Sequence, residues 1–156
     1  MTIHLKRILA PIDFSDFSEL SLKYACALAG PFGAELHLLH VVQDLVAMLP
    51  EPGFAFPPPG DYVEDQRRCA EEMMAKMPDL AWTEGLAVVR RTCQGPPFLE
   101  IIRYAREHAI DLIVLSTHGR SGLAHVLLGS VAEKVVRKAP CPVLTVRSPD
   151  HTFELP

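Results

Sequence analysis

Residues 111–130 read D-L-I-V-L-S-T-H-G-R-S-G-L-A-H-V-L-L-G-S. The apolar run behind Asp111 has the composition of a buried strand, and the residues from Gly129 to Lys138 read as a helix. Between them lie Gly119, Gly122, two histidines and Arg120. Glycines carry no Cβ, so backbone amides there can come close to an anion. A helix start presents unpaired N–H groups and a dipole that favour negative charge, and Ser130 adds a hydroxyl donor. Strand, glycine loop and helix start together fit a phosphate cradle. A flexible loop before an ordinary serine-capped helix has the same composition, so the rest of the chain has to decide.

Outward from this stretch the chain alternates. Arg7 to Ile12 (R-I-L-A-P-I) is an apolar run ending at Asp13 and predicts a first strand. A helix follows, capped by Ser15 or Ser18, with a stripe at Leu20, Tyr24 and Leu28 and a stop at Gly30. Strands are expected at Glu35–Val42, Leu86–Cys93, Asp111–Ser116 and Val143–Val146. Helices are expected at Tyr62–Met77 behind an Asp61 cap, at Pro97–His108 and at Gly129–Lys138. Strand–helix alternation predicts an open parallel sheet with helices on both faces and right-handed crossovers. Residues 43–60, containing P-E-P-G-F-A-F-P-P-P-G, can continue neither regular element and read as an irregular surface loop. The alternative is a Pro-rich partner ligand, but the segment is short and lacks basic residues.

The composition narrows the function classes. The chain has 156 residues, 49% of them apolar and 22% charged, which fits one folded domain spanning 1–156 with a C-terminal tail at 148–156. A formal charge of −4 offers no basic face for nucleic acid. No run is long enough for a membrane span, and the N-terminus lacks a signal-peptide pattern. Cys26, Cys69, Cys93 and Cys141 are widely spaced, without a C-x-x-C pair, and read as free thiols of a cytoplasmic protein. The P-loop pattern, G-x-G-x-x-G after the first strand and G-x-S-x-G are all absent. His37 and His40 are three apart on a strand and point to opposite faces, so they cannot share a metal. His118 and His125 lack further ligands. Met73, Met74 and Met77 read as core filler.

The spacing within S-T-H-G-R-S-G-L-A-H-V-L-L-G-S-V-A-E-K-V-V-R-K-A-P-C-P-V-L-T-V resembles the nucleotide-loop motif of the universal stress protein family. That motif is glycine, two residues, glycine, nine residues, then glycine with serine or threonine. Gly119 matches the second glycine and Gly129-Ser130 the close, while Ser116 stands in the place of the first glycine. R-I-L-A-P-I-D-F-S, L-L-H-V-V and D-L-I-V-L-S-T-H-G-R-S-G-L are similar to the family's strand ends. The resemblance covers essentially the whole chain, with the Pro-rich loop as the variable part.

The resemblance implies a five-stranded Rossmann-like sheet of order 3-2-1-4-5 that binds ATP, or ADP or AMP, with Mg²⁺. Pro11, Ile12 and Asp13 would border the nucleoside, Asp13 meeting the ribose or metal-bound phosphates. Val41 would offer backbone groups to adenine, and Ser116 and His118 would lie beside the ribose. Gly119, Gly129, Ser130, Val131 and Ala132 would line the phosphates, and Arg120 is a candidate phosphate partner. A homodimer through Val143–Val146 is expected on two grounds: members commonly pair through this strand, and an apolar sheet edge invites pairing. The expected function is an adenine-nucleotide-dependent stress-response regulator. Two alternatives share the fold: a slow ATPase or self-phosphorylating enzyme, and a nucleotide-free interaction protein. Asp13 also has a plainer reading, as a cap of the first helix.

Overall fold

The computed structural model describes residues 3–43, 62–78, 80–118 and 129–147. Among the described residues five strands and four helices alternate: β1 (Arg7–Ile12), α1 (Asp16–Phe32), β2 (Glu35–Val42), α2 (Tyr62–Ala75), β3 (Val88–Gln94), α3 (Pro97–Glu107), β4 (Leu112–Ser116), α4 (Ser130–Lys138) and β5 (Val143–Val146). A 3-10 turn at Leu80–Trp82 precedes β3. The strands lie in the order 3-2-1-4-5, and every neighbouring pair is parallel. Parallel strands covered on both faces read as continuous apolar runs, which is why β1, β2 and β4 stood out in the sequence.

Successive residues of each strand feed opposite cores. On one face Ile8, Ala10, Leu36, Leu38 and Val114 pack with Leu22, Ala25 and Ala29 of α1 and Met74 of α2. On the other, Leu9, Leu39, Ile113 and Leu115 pack with Ile101 and Tyr104 of α3 and Ala132 and Val135 of α4. Fully burying one such aliphatic side chain stabilises the fold by about 1.5–3 kcal/mol.

The structure corrects several details. The buried stripe of α1 runs through Ser18, Ser21, Leu22, Ala25, Cys26 and Ala29, whereas Tyr24 is 52% exposed. Small side chains on that stripe let the helix settle close on β1 and β4, so the large residues Leu20, Tyr24 and Leu28 turn towards its margin. The helix also passes Gly30 and Pro31 and ends at Gly33, whose φ of 60° supplies the left-handed turn of a helix stop. Ser15, not Ser18, is its N-cap. Met74 is buried, but Met73 is half-exposed on the outer side of α2. The Asp61 cap, the loop expected at 43–60 beyond Gln43, and the tail at 148–156 lie outside the described residues.

Candidate functional site

Three strand ends meet on one rim. At the end of β1, Phe14 adopts φ 62° and turns the chain into α1. Asp13 stabilises that turn: its Oδ1 accepts the Ser15 N–H at 3.0 Å and the Ser15 hydroxyl at 2.5 Å. The Ser15 hydroxyl oxygen accepts the Ser18 N–H at 3.2 Å and so caps the helix. Asp13 therefore acts on the helix start one step removed, by holding the residue that caps it.

At the end of β2, His40 is buried with Nδ1 2.7 Å from the Ile12 carbonyl oxygen. A carbonyl only accepts, so Nδ1 carries the proton. The Phe14 ring lies 4.3 Å from the His40 ring and fixes it against the turn.

At the end of β4, the Ser116 hydroxyl donates to the His118 carbonyl at 2.6 Å, and the Thr117 N–H donates to the Val146 carbonyl. His118 stands beside the Phe17 ring, and its Nδ1 is 2.9 Å from the Thr117 hydroxyl. Gly129 brings the chain back: its N–H donates to the Thr117 carbonyl at 2.6 Å. A Cβ at Gly129 would sit 3.1 Å from that same oxygen, so a larger residue would have to displace the Thr117 backbone by a few tenths of an ångström. Gly129 is also the N-cap of α4, and among the described residues no side chain caps this helix. The first amides of α4 have no partner within the helix and face the rim.

Together these ends enclose a cavity of about 430 Å³, within the usual size range of small-molecule sites. Ten of the twelve candidate residues line it: Pro11, Ile12, Asp13, Val41, Ser116, His118, Gly129, Ser130, Val131 and Ala132. Gly119 and Arg120 lie outside the described residues. The cavity also takes in Val42 and Thr117 at the strand ends, and Ser18, Leu39, His40, Gln43, Pro97, Ile101 and Leu115, which sequence reasoning left out. Leu39 was within reach of it, because the strand period puts it on the same face as Val41. Pro97 and Ile101 come from α3, and only the fold shows that this helix closes the wall.

The family model for the universal stress protein family matches residues 4–147. The chain belongs to the universal stress protein family. Universal stress protein MJ0531 of Methanocaldococcus jannaschii is 35% identical over 147 residues, covering 92% of this chain and 83% of that protein. The solved structure of universal stress protein UspA from Lactobacillus plantarum superposes with a TM-score of 0.76 at 27% identity, covering 94% of this chain and all of that one. Two structures at 22% identity share the fold: a universal stress protein in complex with cAMP (TM-score 0.59, covering 92% of this chain and 98% of that one) and the Archaeoglobus fulgidus protein in complex with dAMP (TM-score 0.62, covering 92% and 98%).

Away from the cavity, this universal stress protein buries a second polar cluster. His37 Nε2 is 2.7 Å from the Glu35 carboxylate and Nδ1 is 2.9 Å from the Tyr104 hydroxyl. A carboxylate accepts, so Nε2 carries the proton and the neutral ring accepts from Tyr104 through Nδ1. Burial holds the His37 pKa below its ordinary value against the opposing pull of Glu35. His37 and His40 face opposite cores, as their spacing requires. Among the described residues no three His, Cys, Asp or Glu side chains gather to hold a metal. Burial pushes the Cys26 and Cys93 thiols up to about 11, so both stay protonated at neutral pH. All four cysteines are free. Among the described residues no helix is long and apolar enough to cross a membrane.

Proposed function

We propose that this universal stress protein binds an adenine nucleotide, ATP with Mg²⁺, in the cavity at the carboxyl ends of β1, β2 and β4, and acts as a nucleotide-dependent homodimeric regulator of the stress response. One observation carries the reading: a single cavity joins an apolar wall (Leu39, Val41, Ile101, Leu115) to the uncapped amides of α4. An apolar wall suits a base, and helix-start amides suit phosphate oxygens. In this reading Val41 offers backbone groups to adenine, with Pro11 and Ile12 beside the nucleoside. Ser116 and His118 flank the ribose. Gly119 and the amides at Gly129, Ser130, Val131 and Ala132 take the phosphates, with Arg120 as a further partner. Mg²⁺ is commonly held by one or two carboxylates together with phosphate oxygens, and it neutralises their charge. Asp13 is the one acid among the described lining residues and fits that role indirectly. The family's complexes with cAMP and dAMP support an adenine ligand.

The proposal is binding without turnover. Asp13 Oδ1 is engaged by Ser15, and the His40 Nδ1 proton is given to the Ile12 carbonyl, so both side chains already have structural duties. The test is mass spectrometry of ligand released from the purified protein, with calorimetry of ATP and Mg²⁺. Adenine nucleotide in the released fraction and saturable ATP binding are expected. A Gly129→Val chain should remain folded and lose most affinity. No ligand and no heat with the folded wild-type chain would overturn the reading.

A further inference from the structure

We infer that Ser116 makes the cavity selective for nucleotides with free ribose hydroxyls, by presenting them with an oxygen that can only accept. The inference rests on the nucleotide reading above and adds a specificity to it. A serine hydroxyl has one proton and two lone pairs. In Ser116 that proton is committed to the His118 carbonyl at 2.6 Å. Among the described residues no group donates to the Ser116 oxygen, and the residue lines the cavity. Whatever meets it there must bring a hydrogen.

The layout of the cavity identifies what arrives. The apolar wall from Leu39 and Ile101 lies on the β2 and α3 side, and the free amides of α4 on the other. Ser116 ends β4, directly after the apolar Leu115 and across from the end of β1, between the two regions. A base on the first and phosphates on the second leave the sugar beside Ser116. Sugar hydroxyls are donors and satisfy the oxygen. A phosphoryl oxygen is acceptor-only and cannot satisfy it, so phosphorylation of the sugar oxygen that meets Ser116 weakens binding. A glycine at this position would show no such preference.

The experiment compares ATP, 2′-deoxy-ATP and 3′-deoxy-ATP by calorimetry on the wild type, Ser116→Ala, Ser116→Gly and Ser116→Thr. Thermal melts confirm that each variant is folded. The wild type should bind ATP about three- to tenfold more tightly than at least one deoxy analogue, as for one neutral hydrogen bond. That ratio should fall to about one in Ser116→Ala and Ser116→Gly and persist in Ser116→Thr, which keeps the hydroxyl. Using the ratio removes any general loss from untying the Ser116–His118 turn. Equal affinities in the wild type, or an undiminished ratio in the Ala and Gly variants, would overturn the inference and leave the nucleotide reading standing. Binding of none of the three ligands by the wild type would overturn both.

Discussion

Ser130 opens α4 at the point where the helix has amides to offer and no side-chain cap of its own. On the proposed reading its hydroxyl donates to a phosphate, and one hydrogen bond to a charged group is worth about 1.5–3 kcal/mol. Ser130→Ala should therefore weaken ATP by roughly tenfold or somewhat more while adenosine affinity stays unchanged. Equal weakening of both ligands, measured by calorimetry, would remove the hydroxyl from the phosphates. His37 makes a separate prediction about pH. Its pKa is lowered from the ordinary 6.5, first by burial, with Glu35 opposing and the neighbouring His108 and Arg7 assisting. As pH falls through about 6.5, the unfolded chain takes up a proton that the folded chain resists. Stability is thus held above that pH and lost below it, down to the depressed folded value. His37→Gln should be less stable at neutral pH, because it breaks the contacts to Glu35 and Tyr104, yet lose less on acidification. Urea midpoints at about pH 7.5 and 5.5 measure this, and equal losses in both proteins would contradict it.

At the scale of elements, the junction of β1 and α1 joins the fold to the site. Ser15 caps the helix while accepting the constraint imposed by Asp13. Ser15→Ala removes the cap and the hydroxyl's bond to Asp13 while keeping the backbone N–H bond to it, and an N-cap loss typically costs about 1 kcal/mol, within a range of about 0.5–2. A drop of that size in unfolding free energy is expected, and an unchanged urea midpoint would show that the Asp13 turn stands without its cap. The elements themselves were legible in the sequence for a physical reason. The bounds read for β1, β2 and β5 agree with the structure, and for the inner strands β1 and β2 the reason is that a strand covered on both faces reads as a largely apolar run. The contacting face of α1 was misread through Tyr24, because the buried stripe is carried mostly by small residues around Leu22, which a search for large apolar side chains passes over. The rim of the cavity was legible too, since glycine spacing and strand-end residues belong to the local sequence. Its walls were not: Leu39 and Ile101 are ordinary core residues until the 3-2-1-4-5 order sets α3 above β2. His40 entered the sequence reading only as a histidine that cannot share a metal with His37, and its bond to the Ile12 carbonyl and its contact with Phe14 tie it to the rim.

For the whole molecule, the open sheet leaves two edges, β3 and β5. Arg90 and Arg91 place charge along β3, a common protection against edge pairing. β5 has no such protection within Val143–Val146, and Leu144 on it and Val136 on the adjoining α4 are exposed apolar residues. The hydrogen bonds show which groups remain to be paired. The Pro142 and Val146 carbonyls accept from β4, so the alternation of a strand turns the N–H and C=O of Val143 and Thr145 outward. A second copy, lying antiparallel about a two-fold axis, would pair those groups and cover the apolar side chains. Thr145→Pro is then a discriminating change, since it deletes an outward donor while leaving the ladder to β4 in place. Light scattering should find a wild-type dimer at micromolar concentration and a folded Thr145→Pro monomer. A monomeric wild type, or a Thr145→Pro dimer of undiminished affinity, would rule out pairing through β5. Loss of the dimer with the sheet intact would show that its outward backbone groups hold the two copies together.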